Sequence, residues 1–394
     1  MQIPQNGLFL NLSDCFLKEP MSLYIGLMSG TSLDGVDGVL ACIPDNYHGG
    51  RLKILATAHV PFDISFRKQL MQLQEMDSNE LEREAIVANV LAKKYAENVH
   101  ALVSKTAISP QTVTAIGVHG QTVRHRPDLG FSRQTNNPAL LAELTGIDVI
   151  ADFRNRDIAA GGQGAPLVPA FHQAVMGSKT EFRVIINIGG IANISILKPD
   201  GTITGFDTGP GNMLMDAFIQ QQQHKPYDKE GRWAASGKIL KPLLENMLNE
   251  PFFYKTPPKS TGRDLFHMGW LKHHLLQTNT TDFNDEDIQA TLLALTAKTI
   301  TDAILTYAPK ATQVYLCGGG ALNNFLVHSI RNLLQKKHPD ILLASSDVLG
   351  IDPMHVESLA FAWLAHRFMI RKPGNLPSVT GANGPRILGA LYPA

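Results

Sequence analysis

Short apolar runs separated by polar turns organise the first half of the chain. The runs Leu23–Leu27, Val36–Ile43 and Leu52–Val60 are bounded by Gly, Asp and Asn, a pattern typical of three strands joined by turns. After Ser78, a candidate N-cap, apolar residues recur at steps of three and four residues, at Leu81, Ala85, Ala88, Ala92, Tyr95, Val99 and Leu102. This spacing predicts a helix with one buried face. The next apolar run, within 115–122, predicts a buried strand that ends in a polar Gly turn.

The second half of the chain repeats this order of elements. The runs Arg183–Ile186, Ile194–Leu197 and Thr202–Phe206 predict three strands, with a Gly turn between the first two. A periodic helical stretch at Asp287–Tyr307 and a strand at Gln313–Leu316 follow. The pattern therefore predicts an α/β protein made of two βββαβα halves that face each other across a cleft. Because concave sites between domains are favoured ligand positions, the cleft is the expected functional site.

Three Gly-containing turns follow strands of these halves, at Ser29–Gly35, Gly189–Gly190 and Gly318–Gly320. Glycine lets the backbone approach a ligand closely, and exposed N–H groups and hydroxyls donate to anionic oxygens. The turns predict a nucleotide whose phosphates lie between the lobes and whose base sits beside the third turn. The first turn is not a P-loop, because no G-x-x-x-x-G-K-S/T occurs and a strand is expected after it. Plain turns of the same composition are the alternative interpretation.

Composition and charge exclude several classes of protein. The 394 residues suggest two or three domains, and the 35 Lys and Arg balance the 35 Asp and Glu, so no net field attracts nucleic acid or an anionic membrane. Cys15, Cys42 and Cys317 show neither disulfide nor zinc spacing, which fits a reducing cytoplasm. No apolar run approaches the roughly 18 residues of a membrane span, and the start of the chain does not resemble a secretory signal.

Seven segments, in order, carry a family resemblance: Leu27–Gly35, His119–Thr122, Ala151–Arg154, Asp157–Pro166, Asn187–Gly190, Phe206–Asn212 and Cys317–Gly320. With them the chain, from about Met21 to Ala394, resembles the anhydro-N-acetylmuramic acid kinase family of the sugar kinase, heat-shock protein and actin superfamily. The resemblance implies a duplicated actin-like ATPase fold, ribonuclease H-like in each half, with two lobes around a nucleotide cleft. It also suggests a homodimer.

The resemblance and the repeat together predict a division of the chain. We expect residues 21–150 and 370–394 to form the first lobe, with the first phosphate loop, and residues 151–369 to form the second. Because Met21 directly precedes the first strand, residues 1–20 are interpreted as an N-terminal extension outside the fold, with translation starting at Met21 as a hypothesis.

The implied activity couples two events on one sugar. Water opens the internal bridge of 1,6-anhydro-N-acetylmuramic acid at the anomeric carbon, and the released oxygen at position 6 takes the γ-phosphoryl group of ATP. The product is N-acetylmuramic acid 6-phosphate, a step of cytoplasmic peptidoglycan recycling. The chemistry requires a carboxylate that activates water, a phosphate cradle and a divalent cation such as Mg²⁺.

Asp207 is the candidate catalytic base. It follows a predicted strand and opens the turn Thr208–Gly211, which directs it toward the cleft, and it matches the catalytic aspartate of the family that the chain resembles. An Asp that opens a Gly/Pro turn often hydrogen-bonds only to its own backbone, which is the structural alternative.

The sugar-binding candidates are a separate set: His119, Gln121, Arg154, Asp157 and Glu357. Arg154, or Arg156 beside it, has the planar donor fork that matches the lactyl carboxylate of muramic acid, and an ion pair of Arg154 with Asp157 is the alternative. His119 and Gln121 follow a strand and are candidates for hydrogen bonds to sugar hydroxyls. Glu357 matches a substrate-contacting glutamate of the family, although an acid in the first turn of a helix also stabilises the helix dipole.

The nucleotide-binding candidates come from both halves of the chain: Gly30, Thr31, Ser32, Asp34, Gly35 and Asp37, then Gly189, Gly190 and Asn193, then Gly318, Gly319 and Gly320. The superfamily often begins its first phosphate loop with an aspartate near the metal, whereas this chain has Leu27-Met28 at that point. The magnesium ligands are therefore left open, with Asp34, Asp37 and water molecules as candidates.

Two rival functions use the same fold. A kinase for another sugar would keep the phosphate turns and lose the anhydro-ring chemistry. A non-enzymatic, ATP-dependent sugar-sensing regulator would usually carry an added recognition module such as a basic helix-turn-helix, which this sequence does not show.

Overall fold

The computed structural model describes residues 21–30, 32–44, 52–278 and 283–394, so the predicted extension 1–20 and Thr31 lie outside the described residues. The strands are β1 Met21–Met28, β2 Gly35–Pro44, β3 Lys53–Pro61, β4 Val113–Val118, β5 Gln121–Arg126, β6 Phe131–Thr135, β7 Val149–Ala151, β8 Arg183–Ile188, β9 Ile191–Leu197, β10 Ile203–Pro210, β11 Gln313–Cys317, β12 Leu342–Ser345 and β13 Ala390–Tyr392. They form two large sheets and the separate hairpin β5–β6.

Helices connect and cover the sheets. They are α1 Ile64–Gln72, α2 Glu80–Thr106, α3 Pro138–Thr145, α4 Phe153–Ile158, α5 Val168–Met176, α6 Met213–Gln223, α7 Arg232–Ser236, α8 Lys241–Leu248, α9 Pro251–Tyr254, α10 Met268–Gln277, α11 Asp285–Tyr307, α12 Asn324–Gln335, α13 Val356–Met369 and α14 Pro377–Thr380.

The two sheets have the same strand order, which confirms the predicted duplication. In the first sheet, β3, β2 and β1 are antiparallel neighbours, and β4 and then β7 continue the sheet parallel to β1, with β13 at the edge. In the second sheet, β10, β9 and β8 are antiparallel, and β11 and β12 lie parallel to β8. Each half thus has the order 3-2-1-4-5 of a ribonuclease H-like unit, as the duplicated actin-like fold requires.

Helix α13 packs directly on the first sheet because two glycines admit its backbone. A Cβ on Gly26 would overlap the carbonyl oxygen of Ser358, and one on Gly117 would overlap that of Phe361. The same helix shares an apolar cluster with Ile185 and Tyr315 of the second sheet, so it lies between the sheets. We had predicted this helix as part of the second lobe; its packing joins both sheets, and the numbered lobe boundaries remain a prediction.

Helix α2 is longer than its predicted apolar face. Its middle and end bury Leu91, Tyr95 and Leu102, as predicted, whereas Leu81 is 89% exposed and Ala85 is also exposed. The first turns therefore extend beyond the sheet, and that part of the prediction is wrong. The cap is also Asn79, not Ser78, and Asn79 has a left-handed backbone and makes no side-chain capping bond.

Helix α11 is the main helix of the second core. It is long and apolar enough to cross a membrane by length and composition, but 78% of the relevant stretch is buried inside the fold. Its side chains join the apolar cluster of β8, β9 and β11. A core helix of a globular fold accounts for this composition.

Candidate active site

Asp207 lies where the edge strand β10 bulges. The register of β10 against β9 shifts between Asp207 and Gly209, and a bulge of this kind re-aims the neighbouring side chain. The N–H of Asp207 donates to the carbonyl of Lys259 at 3.1 Å, and its Oδ2 accepts from the N–H of Thr261 at 3.0 Å. The other oxygen, Oδ1, accepts no hydrogen bond from the described residues. Asp207 is half-buried, so this oxygen is available to a ligand.

The electrostatics of Asp207 suit a base that works near neutral pH. Burial raises the pKa of its carboxyl to about 7, while the Thr261 N–H, the Arg154 guanidinium and the Lys259 ammonium act in the opposite direction. A pKa near the working pH balances the fraction of base that is ionised against its strength. Asp207 can therefore accept a proton from water under ordinary conditions.

Arg154, in the short helix α4, is held by three hydrogen bonds. Its Nε and Nη2 donate to Nε2 of His119 at 3.0 and 2.9 Å, and its Nη1 donates to the carbonyl of Gly164 at 2.7 Å. Burial and the nearby guanidinium lower the pKa of His119, so the ring is neutral and can accept. His119 therefore orients Arg154, a role that the sequence did not predict; a sugar contact by His119 remains a prediction.

Asp157 holds the Gly-rich loop that follows α4. Its side chain is fully buried. Its Oδ1 accepts from Asn375 at 2.7 Å and Thr380 at 2.8 Å, and its Oδ2 accepts from the N–H of Gly164 at 2.8 Å. Asp157 and Arg154 thus grip Gly164 from its two sides. They do not form the direct ion pair that was the alternative interpretation, and a sugar contact by Asp157 remains a prediction.

Glu357 connects Arg154 with the second sheet. It stands in the first turn of α13, where its Oε1 accepts from Nδ2 of Asn187 at 3.2 Å. Burial raises the pKa of Glu357, and Arg154 opposes that shift. Burial likewise lowers the pKa of Arg154, against which Glu357, Asp207 and Asp157 act. The structure therefore brings Arg154, Asp207 and Glu357 into one charged group.

A cleft of about 460 Å³ is lined by the Gly-rich loop after α4, by β10 and by the segment after α9, which also contacts Asp207. Its lining includes Gln163 and Pro166 of the Gly-rich loop, Gly205 of β10, and Lys259 and Ser260. Gly205 and Asp207 are two residues apart on β10 and project toward the same face of the sheet. The volume is within the range of small-molecule sites.

Hydrogen bonds of two buried side chains, Ser29 and Gln121, hold the first phosphate turn in place. The hydroxyl of Ser29 is buried against the Tyr95 hydroxyl at 2.8 Å, so it does not face a ligand as its sequence position had suggested. Gln121 is also buried, and its Nε2 donates to the carbonyl of Gly30 at 3.2 Å. Gln121 therefore supports the turn, and its predicted contact with the sugar remains a prediction.

The acidic residues of this turn are near its surface. Asp34 is exposed and accepts from the hydroxyl of Ser32 at 2.7 Å. Asp37 pairs with Nδ1 of His59 at 2.8 Å, and burial raises its pKa while His59 opposes the shift. Packing requires glycine at position 35, because a Cβ there would clash with the carbonyl oxygen of Val60.

Three glycines, one in each Gly turn, are not required by the fold. A Cβ on Gly30 would have its nearest neighbour at 3.8 Å, one on Gly189 at 3.6 Å and one on Gly319 at 3.8 Å, and none has a left-handed φ. Gly318 differs, because its φ is +79° and a Cβ would crowd Asn187. Open space over three glycines is what a cradle for a ligand needs. Nearby, Oδ1 of Asn193 is buried and has no partner among the described residues.

Sequence reasoning missed the segment Lys255–Asp264 and the residue Asp216. The segment supplies Lys259 and Thr261 to Asp207 and places the Arg263 guanidinium near Asp216. Burial raises the pKa of Asp216 to about 7; Arg263 opposes the shift and the carboxylate of Asp34 adds to it. The polar run after Pro257-Pro258 was the available signal, because it is dense in charge and hydroxyl groups within a loop.

This architecture and site define a two-lobed phosphotransferase or ATPase of the duplicated ribonuclease H-like class. The sequence model of the family "Anhydro-N-acetylmuramic acid kinase" matches residues 22–394. A protein of that name from Cupriavidus metallidurans is 50% identical over 378 residues, covering 94% of this chain and 97% of its own. Another, from Nitrosomonas europaea, is 50% identical over 373 residues, with 94% and 99% covered. The chain belongs to the anhydro-N-acetylmuramic acid kinase family, and it is a kinase with an alcohol group as acceptor.

Two of the solved structures that align with the chain are distant from it in sequence. An activator of 2-hydroxyisocaproyl-CoA dehydratase from Clostridium difficile aligns with a TM-score of 0.43 and 13% identity, covering 89% of this chain and 96% of that one. A ROK hexokinase from Thermus thermophilus aligns with a TM-score of 0.36 and 14% identity, covering 87% and 98%. The strand order of the two sheets identifies each half as a ribonuclease H-like unit.

Proposed function

We propose that this kinase uses ATP and water to convert 1,6-anhydro-N-acetylmuramic acid to N-acetylmuramic acid 6-phosphate in peptidoglycan recycling. The observation that carries the proposal is the carboxylate of Asp207. One of its oxygens is fixed by the Thr261 N–H, and the other accepts no hydrogen bond from the described residues, while the charge of Arg154 acts on the carboxylate. Family membership supplies the sugar, since the relatives bear the name of that activity.

Asp207 acts as a general base on water. It takes a proton as the water oxygen bonds to the anomeric carbon, and the bond between that carbon and the bridging oxygen breaks. The released oxygen at position 6 bonds to the γ-phosphorus of ATP, and ADP leaves. Glycine amides and positive charge stabilise the transferring group, since phosphoryl transfer depends on positioning and electrostatics.

Arg154 and Glu357 are proposed to bind the sugar. His119 and Gly164 hold the guanidinium in place, and the charges of Glu357 and Asp207 act on it. Its donor geometry fits the lactyl carboxylate, and the carboxylate of Glu357 fits sugar hydroxyls. Gln121 contributes by supporting the first phosphate turn, and Asp157 by holding the Gly-rich loop that follows α4.

ATP is proposed to lie across the three open glycines. Ser32 and Asp34 would face its terminal phosphates from the first lobe, Gly190 and Asn193 from the second, and the base would lie by Gly318–Gly320. Among the described residues no group of three or more metal-ligating side chains exists. Two carboxylates, Asp34 and Asp216, are close enough to interact, and Mg²⁺ bound to a nucleotide needs one or two carboxylates besides phosphates and water. These residues therefore fit Mg²⁺, which would neutralise charge on the transferring group.

Alanine at Gly30 or Gly319 is expected to weaken ATP binding without destabilising the fold. The added methyl group meets no protein atom closer than 3.8 Å but occupies the space assigned to the nucleotide. We expect affinity for ATP to fall about 10-fold or more, equivalent to about 1.4 kcal/mol, with an unchanged melting temperature. Calorimetric titration and thermal unfolding measure the two quantities. Gly318→Ala is the contrasting variant: its strained backbone should lower the melting temperature. Full ATP affinity in both Gly30→Ala and Gly319→Ala would contradict the proposed cradle.

We also propose that the enzyme is cytoplasmic and forms a homodimer. A cytoplasmic enzyme fits the balanced charge and the thiols of Cys42 and Cys317, which are buried and form no disulfide within the described residues. A homodimer follows from the family resemblance, and sedimentation of the purified protein tests it.

An ATP-consumption assay with four sugars tests the function. We expect ADP release with 1,6-anhydro-N-acetylmuramic acid and none with N-acetylmuramic acid, glucose or N-acetylglucosamine, because only the anhydro sugar gives Asp207 a bridge to open. Consumption with another sugar would identify a different sugar kinase. ATP binding without turnover of any sugar would favour the regulator.

A further inference from the structure

The segment between α9 and α10 covers the free edge of β10. Because β10 ends the second sheet, its outer backbone groups have no strand partner. Residues 259–261 supply part of that pairing: the Lys259 carbonyl accepts from the Asp207 N–H, and the Thr261 N–H donates to the Asp207 carboxylate. The segment therefore fixes both the backbone and the side chain of Asp207.

The side chain of Lys259 fastens this segment to α9. Its Nζ donates to the carbonyls of Phe252 at 3.3 Å and Phe253 at 3.1 Å, which lie at the end of that short helix. The ammonium group also lies 4.8 Å from the centre of the Phe252 ring and 5.9 Å from that of Phe206, the residue before Asp207. Burial lowers the pKa of Lys259, and the carbonyl oxygens, the aromatic faces and the charge of Asp207 act in the opposite direction by stabilising the cation.

That charge acts on Asp207. The charged groups that act on Asp207 are Arg154, from α4, and Lys259, from the covering segment, and Lys255 is a further cation that acts on Lys259. The positive charge of Arg154 also interacts with the carboxylates of Glu357 and Asp157. Lys259 differs, because among the described carboxylates only Asp207 raises its pKa.

We propose that Lys259 is a positioning residue for the catalytic base: it anchors the strap 259–261 that orients Asp207 and supplies the positive charge that keeps this carboxylate ionised. The inference rests on the proposed function for its kinetic consequence, whereas its structural part concerns only the titration of Asp207. The strap would then orient Asp207 in addition to covering the edge of the second sheet.

Lys259→Gln separates charge from anchoring, because the amide still donates to a carbonyl but carries no charge. Loss of a nearby cation destabilises the ionised carboxylate, so the pKa of Asp207 rises. We expect the acidic limb of the pH profile of kcat/KM to move up by about 0.5 to 1 unit and kcat at pH 7 to fall about 3- to 10-fold. Lys259→Arg should restore the wild-type limb, and Lys272→Met, an exposed lysine on α10, should leave the profile unchanged.

A direct titration makes the result independent of turnover. Carbon-13 NMR of the protein labelled at Asp carboxyl carbons, with Asp207→Asn used to assign the signal, reports the pKa of Asp207 in wild type and in Lys259→Gln. A raised pKa supports the proposal. An unchanged pKa overturns it, as does a Lys259→Gln variant whose activity falls only in step with its melting temperature. If the wild-type protein does not use the anhydro sugar, the proposed function fails, while the NMR comparison still decides the role of Lys259.

Discussion

Replacement of Asp207 by Asn is expected to reduce turnover by about two to four decades, as the loss of a general base does. Asn has nearly the same shape and can still accept from the Thr261 N–H, so binding of sugar and ATP should change little. The loss should therefore fall on kcat rather than on KM, since the base acts as the reaction proceeds.

The pH dependence provides a second signature of the same group. The base works only when ionised, and its pKa is raised to about 7, so kcat/KM of the wild-type enzyme should rise with pH and level off above about 7. Asp207→Asn should lose that limb. Asp200→Asn, in the exposed turn before β10, is the matched control and should behave as wild type. Near-normal turnover of Asp207→Asn would remove Asp207 from the role.

The sequence predicts the strands well because each has a local cause. Apolar runs between Gly, Asp and Asn turns locate β1, β2, β3, β8 and β11 to within a few residues. The order of the strands is not local, and the repeat indicated it only because both halves have the same succession of elements. The place of α13 between the sheets depends on tertiary contacts, such as the close approach of Ser358 to Gly26. No periodicity in the helix itself predicts such a contact.

In the candidate site, too, the sequence indicates residue types but not the tertiary contacts between them. Asp207 is recognisable from its position at the end of a strand and from the family motif, whereas the bulge that turns it depends on pairing with β9. Thr261 lies 54 residues further along the chain, so nothing near Asp207 in sequence indicates its hydrogen-bond donor. Arg154 and His119 were both singled out as sugar contacts, but their mutual hydrogen bonds became visible only in the structure. Residue types identify candidate chemistry, and the fold decides which of them meet.

Replacement of Arg154 by Met is expected to lower kcat/KM about 100-fold or more. The change removes charge-assisted hydrogen bonds to His119 and Gly164 and leaves the carboxylates of Glu357 and Asp207 without their shared cation. Hydrogen bonds that involve a charged group contribute about 1.5–3 kcal/mol each, and each decade of rate corresponds to about 1.4 kcal/mol. Both carboxyl pKa values should rise, so activity should be lost most strongly at acidic pH.

Arg156→Met is the matched control, because Arg156 lies on the same short helix but is exposed. It should retain kcat/KM within about 2-fold, as surface changes usually do. Arg154→Lys keeps the charge without the planar fork, so it should recover the pH profile of wild type but not its KM for the sugar. Steady-state kinetics across pH, with melting temperatures alongside, separate these effects. Equal losses in the Arg154 and Arg156 variants, or a wild-type KM in Arg154→Lys, would show that Arg154 does not bind the sugar through its donor fork.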